Sequence, residues 1–160
     1  MTLAEPAVQA PELEIAAWLN APAPLSLANL RGRVVVLHAF QMLCPGCVLH
    51  GVPQAQRIHD LFARDEVQVI GLHTVFEHHE AMREASLKAF VHEFRVTFPV
   101  GIDRHAEDGT TPLTMTRYAM RGTPTLILID RAGRMRVHQF GQVDDMAVGA
   151  QIAQLVAERQ

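Results

Sequence analysis

The chain has only two cysteines, one tryptophan and one tyrosine in 160 residues. Two cysteines cannot supply the disulfide framework that holds many small secreted domains together. No apolar run approaches the roughly 20 residues that a membrane helix needs. Neither sign of charge dominates: 14 Lys and Arg stand against 17 Asp and Glu, a formal net charge of −3. That balance argues against a general nucleic-acid binder, which needs a basic face for phosphates. Met1-Thr2-Leu3-Ala4-Glu5-Pro6 has neither a basic region nor an apolar stretch behind it. It does not read as a secretory signal, so the expected compartment is the cytoplasm. Internal repeats and low-complexity segments are also missing.

What is present is enough for one folded domain. Hydrophobic residues make up 49% of the chain, and a chain of this length buries roughly 70% of its unfolded surface. Residues 1–12, rich in Ala, Pro and Glu, read as a flexible tail, and residues 13–160 as a single domain. Leu13 to Leu19 fits a short edge strand. Val34 to Phe40 and Val67 to His73 are apolar enough to be buried strands. A helix is expected from Pro45 to about Ala63, kinked at Pro53. Thr74 to Met82 reads as an irregular insertion. A second helix is expected over Ser86 to Phe94, with Leu87, Phe90, Val91 and Phe94 on one face. Phe98 to Ile102 is a short strand and Leu113 to Met120 a short helix. Thr125 to Ile129 and Met135 to Phe140 form a hairpin around Arg131-Ala132-Gly133, and a last helix runs from Asp144 to about Val156. Strands alternating with helices predict an α/β domain, and the closing hairpin makes its central sheet mixed.

Both cysteines lie in one motif, Cys44-Pro45-Gly46-Cys47, placed between the first buried strand and the helix after it. That is the setting of a redox dithiol. A disulfide closing so short a loop stabilises little, and cytosolic thiols are kept reduced, so a structural staple is disfavoured. Cys44 sits at the predicted helix N-terminus, where unpaired N–H groups and the helix dipole favour a negative charge. Its pKa is therefore expected below the free value of about 8.5. Pro45 suits the first helical position, and Gly46 leaves room for an incoming sulfur. These features make Cys44 the expected nucleophile and Cys47 the resolving thiol. The opposing interpretation is a pair of inert core cysteines.

The stretch resembles the thioredoxin superfamily, in particular its redoxin branch of TlpA-like thiol–disulfide oxidoreductases and alkyl hydroperoxide reductase/thiol-specific antioxidant proteins. The resemblance is carried by Val34-Val35-Val36-Leu37-His38-Ala39-Phe40 leading into Cys44-Pro45-Gly46-Cys47. It continues in Val69-Ile70-Gly71-Leu72, Phe98-Pro99-Val100 and Arg121-Gly122-Thr123-Pro124-Thr125, with Gly133 in the following turn. It implies a thioredoxin-like three-layer α/β/α sandwich with a central mixed sheet, an N-terminal strand extension and a helical insertion. It also implies that Pro124 is cis and packs beside the dithiol, leaving Thr123 to pair with an extended substrate segment. Two positions depart from the pattern: Leu43 replaces the usual Trp before the first cysteine, and His38 stands where thioredoxins bury an Asp. His38 is either a proton shuttle for Cys47 or a core histidine bonded to backbone.

The expected activity is thiol–disulfide exchange with a disulfide-containing protein or a small thiol substrate. The Cys44–Cys47 disulfide itself serves in place of a bound cofactor, and a separate electron donor completes the cycle. A thiol peroxidase is the alternative within enzymes. Its peroxide-reducing cysteine follows a Pro-x-x-x-Thr-x-x-Cys pattern, in which Cys44 here occupies the Thr position and Phe40 the Pro position. A second alternative is a copper carrier using Cys44, Cys47 and a histidine. His50 and the cluster His73, Glu77, His78, His79 and Glu80 offer donors. A polar surface loop accounts for the same cluster, so no metal site is assigned. Arg121 is expected as a solvated arginine. Met42, Met115 and Met120 offer either ordinary packing or an adaptable apolar surface near the site.

Overall fold

The computed structural model describes residues 7–158. Seven strands form one sheet: β1 (Val8–Gln9), β2 (Ile15–Leu19), β3 (Val34–Phe40), β4 (Val67–His73), β5 (Val100–Asp103), β6 (Thr125–Ile129) and β7 (Arg134–Phe140). Their spatial order is β1-β7-β6-β3-β4-β5-β2. The centre is parallel from β3 through β4 to β5, and the remaining pairings are antiparallel. The sheet is mixed, as its hairpin predicts.

Four helices cover it: α1 (Val52–Leu61), α2 (Glu84–Glu93), α3 (Leu113–Arg117) and α4 (Asp145–Ala157). The crossovers β3–α1–β4 and β4–α2–β5 advance in one direction across the sheet. Right-handed crossovers then put both helices on one face. Val34, Val36 and Phe40 of β3 accordingly share a core with Ala55 and Ile58 of α1, Leu87 and Phe90 of α2, and Ile152 and Leu155 of α4. Val35, Leu37 and Ala39 face the other way, against Met115 of α3, Tyr118 and Leu30. With α2 and β5 inserted between β4 and α3, this is the thioredoxin-like α/β architecture. Among the described residues no helix is long and apolar enough to cross a membrane.

Several boundaries differ from expectation. The flexible tail was expected over 1–12. Residues 1–6 lie outside the described ones, but Val8–Gln9 forms β1 on the open edge of β7. There Ala10 N–H and Gln9 Nε2 both bond Gly133 O, which satisfies backbone that an edge strand leaves unpaired. The first helix stops at Leu61, because Phe62 is extended and the Arg64 guanidinium covers the carbonyls of His59 and Phe62. Phe94 is 55% exposed and stacks on Phe90. It caps α2 beyond its last full turn, with the left-handed Arg95 following. α3 ends at Arg117 instead of Met120. Ala119 is left-handed, and Met120 N–H closes back onto Met115 O at 3.0 Å, a Schellman ending made without glycine. The expected disruption at Pro53 takes the form of a π-helical turn over Cys47–Gly51. Val52 N–H bonds Cys47 O five residues back, so the wider turn lies immediately before a proline that has no N–H to give.

Candidate active site

The dithiol lies where β3 leaves the sheet. Gln41 O accepts the Cys44 N–H at 3.0 Å, and Cys44 O accepts the Val48 N–H at 3.0 Å. These bonds hold Cys44 at the mouth of the helical segment. Cys47 N–H donates to Cys44 Sγ at 3.3 Å, so a first-turn amide points at the first sulfur. Both cysteines are free thiols.

The two sulfurs have different surroundings. Cys44 is half-buried and opens onto a cavity of about 490 Å³ lined by Leu43, Phe76, Glu77, Arg121, Thr123 and Phe140. Cys47 is fully buried in the core of the α1 face. Burial, reinforced by the neighbouring Cys44 sulfur, pushes the Cys47 thiol up to about 12. At neutral pH it keeps its proton.

The Thr123–Pro124 peptide bond is cis. Cys44 Sγ donates to Thr123 O at 3.5 Å, and Thr125 Oγ1 bonds Gly122 O at 2.7 Å beneath it. Gly46 faces Pro124: a Cβ at that glycine would stand 3.4 Å from Pro124 Cδ. Cys44, Pro45, Gly46, Thr123 and Pro124 are thus brought together.

His38 lies deeper, 2% exposed, on the face of β3 that carries α1. Burial drives its imidazole down to about 4, which keeps it neutral. Its ring packs on Gly51, where a Cβ would come within 2.4 Å of Nε2. Nδ1 bonds no other residue among those described. His38 also borders a pinched void of about 10 Å³ shared with Gly51, Gln54 and Pro124, about the room one water occupies. No hydrogen bond joins it to either sulfur among the described residues.

The histidine cluster is dispersed. His73 is buried and accepts the Met42 N–H, His78 lines the Cys44 cavity, and His79 is bonded to Thr110 O. Among the described residues no group of three His, Cys, Asp or Glu is placed to hold a metal ion. Arg121 is exposed, but it is held 5.8 Å above the Phe140 ring on the wall of the same cavity. Met115 and Met120 belong to the core on the far face and not to the site.

Sequence reasoning missed Gln41, Phe76 and Phe140. Gln41 alone carried a signal, as an amide between an apolar strand and the cysteines. Its Oε1 accepts the Phe76 N–H at 3.2 Å. A larger cavity, about 590 Å³, lies among Arg31, Asp130, Arg131 and Arg134. It sits at the opposite end of β3 and β6, since Val35 pairs with Ile129 there while Ala39 pairs with Thr125 near the dithiol. Its arginines are already engaged by Ala132 O, Gly32 O and Asp130.

Comparison with known proteins agrees with this geometry. The AhpC/TSA family model matches residues 6–138. The crystal structure of the thioredoxin-like superfamily protein SPOA0173 is 57% identical with a TM-score of 0.93, covering 96% of this chain and 99% of that one. The crystal structure of a thiol-disulfide isomerase from Corynebacterium glutamicum is 51% identical with a TM-score of 0.89, covering 94% and 98%. Protein DipZ of Mycobacterium tuberculosis is 28% identical over 150 residues, which span 92% of this chain and 20% of DipZ. The chain thus spans about a fifth of the length of that curated relative. The chain belongs to the AhpC/TSA family, in the redoxin branch of the thioredoxin superfamily.

Proposed function

We propose that the chain exchanges disulfides through Cys44 and Cys47. The observation that carries this reading is the asymmetry of the pair: Cys44 opens onto a cavity, while Cys47 is buried with its thiol pushed up to about 12. Cys44 thiolate attacks one sulfur of a substrate disulfide. That bond breaks, one substrate thiolate leaves, and a mixed disulfide forms on Cys44. Cys47 then loses its proton and attacks the Cys44 sulfur. The second substrate thiolate leaves, and the Cys44–Cys47 disulfide remains. Two electrons have passed to the substrate, and an external thiol donor returns them. The cycle needs no bound cofactor.

Substrates of this reading are disulfide-containing proteins. Leu43 and Phe140 are exposed apolar residues at the rim of the cavity, which suits an extended polypeptide. Pro45 and Gly46 leave the approach open, and the backbone at Thr123 is the pairing partner for that segment. His38 is the candidate base for Cys47, its imidazole neutral at working pH. Insulin-disulfide reduction driven by dithiothreitol tests the reading. Cys44→Ser and Cys47→Ser should each lose turnover by at least about a hundredfold, and activity retained in Cys44→Ser would refute it.

A further inference from the structure

We propose that His73 is a positioning residue for the reactive loop, its Nε2 accepting the Met42 N–H and so setting where Cys44 is presented. Phe40 and His73 are the last residues paired between β3 and β4. Beyond Phe40 the chain leaves the ladder, and its polar backbone must find other partners. It finds them on the segment that follows β4. Thr74 N–H bonds Phe40 O at 3.1 Å. Phe76 N–H bonds Gln41 Oε1 at 3.2 Å, and Gln41 Nε2 reaches Glu77 Oε1 at 3.5 Å.

Met42 N–H, in the loop itself, donates to a side chain of β4, His73 Nε2, at 3.2 Å. Two residues later comes the nucleophile, whose N–H is in turn held by Gln41 O. Because Nε2 receives a proton donor, the ring carries its own proton on Nδ1 and must be neutral. The surroundings enforce this: the ring is 1% exposed, packs against Phe40 at 5.1 Å between centroids, and burial lowers its pKa to about 4. Without an acceptor there, Met42 N–H loses its partner and the Cys44 loop loses its tie to β4. His73 makes no hydrogen bond to either sulfur among the described residues, so its effect passes through backbone position.

The inference rests on Cys44 being the nucleophile, and its test separates the two. Full-length His73→Leu and His73→Gln are compared with the wild type in insulin reduction and in the pH profile of Cys44 alkylation by iodoacetamide. Gln keeps an acceptor at comparable reach, and Leu has none. His73→Leu should lower kcat about tenfold, leave KM within about twofold and displace the alkylation profile. His73→Gln should recover to within about threefold of wild type. Equal losses in both variants, or none in His73→Leu, would overturn the inference. Should His73→Leu not fold, 15N spectra of the reduced wild type decide. An Nδ1-protonated His73 with coupling across the hydrogen bond to the Met42 amide is expected, and an Nε2-protonated ring would overturn the inference. A wild type that never reduces disulfides would defeat the dithiol reading alone, because the spectra still decide the loop.

Discussion

Cys44 and Cys47 sit one helical turn apart in very different surroundings. One sulfur receives an amide N–H and faces a cavity, and the other is sealed in the core. The buried thiol costs too much to ionise unaided, since burial pushes it up to about 12. Removal of that proton therefore matters most in the resolving step. His38→Ala should slow the breakdown of the mixed disulfide at least about tenfold and change the pH dependence of that step. Stopped-flow measurement of product release checks this, and an unchanged profile would remove His38 from the mechanism. At this scale the site was readable as two short motifs, because Cys44-Pro45-Gly46-Cys47 is contiguous in sequence and so is Thr123-Pro124. Gln41, Phe76 and Phe140 were not. They reach the site only because the topology brings the ends of β3, β4 and β7 together, and no local pattern encodes that.

The element that carries Cys47 is wider than an α-helix for one turn. That turn ends at Gly51, which lies directly against the His38 ring. Gly51→Ala would gain up to about 1 kcal/mol of helix propensity but place a methyl 2.4 Å from His38 Nε2. The clash should win, and the substitution should destabilise by about 1–3 kcal/mol in chemical denaturation. In a His38→Ala background the same change should be nearly neutral, a coupling of more than about 1 kcal/mol. Equal costs in both backgrounds would mean the ring and the turn do not bear on one another. Pro53 announced a disturbance in this helix but not its form. A π turn reflects how the helix packs on β3, and a single proline carries no information about that. The strands were easier: β3, β4 and β6 have the boundaries expected, because buried runs such as Thr125-Leu126-Ile127-Leu128-Ile129 leave little freedom. The tail was misread for the converse reason. Val8–Gln9 is too short to show a pattern and is a strand only because β7 offers it an edge.

At the scale of the whole molecule, three histidines among the described residues, His38, His59 and His73, are buried with their pKa lowered chiefly by burial. His38 and His73 both have their pKa lowered from 6.5 to about 4, chiefly by burial. Unfolding releases each to take up a proton at pH values where the native state does not. Stability should therefore fall as pH drops from about 6.5 to about 4 and level off below that range, by up to about 3 kcal/mol per histidine. Asp103 acts in the opposite sense, since burial raises its pKa. The native state binds its proton more readily than the unfolded chain, so its protonation on acidification returns part of the loss. Urea melts at a series of pH values check this: a midpoint that declines from pH 6.5 toward 4 is expected, with the decline reduced in His38→Ala relative to its own neutral-pH midpoint. Leu43 and Phe140 are exposed apolar residues at the cavity rim. The order of strands and helices made the α/β class legible in advance, because each crossover must return the chain to the same sheet.

The central claim is that Cys44 attacks and Cys47 resolves. Cys47→Ser should be mixed with an excess of a peptide disulfide at neutral pH and the products mapped by mass spectrometry. The account predicts one stable adduct, a mixed disulfide on Cys44, formed at least about a hundredfold faster than any adduct on Cys47 in Cys44→Ser. Adducts forming on Cys47 at a comparable rate, or none forming on Cys44, would contradict it.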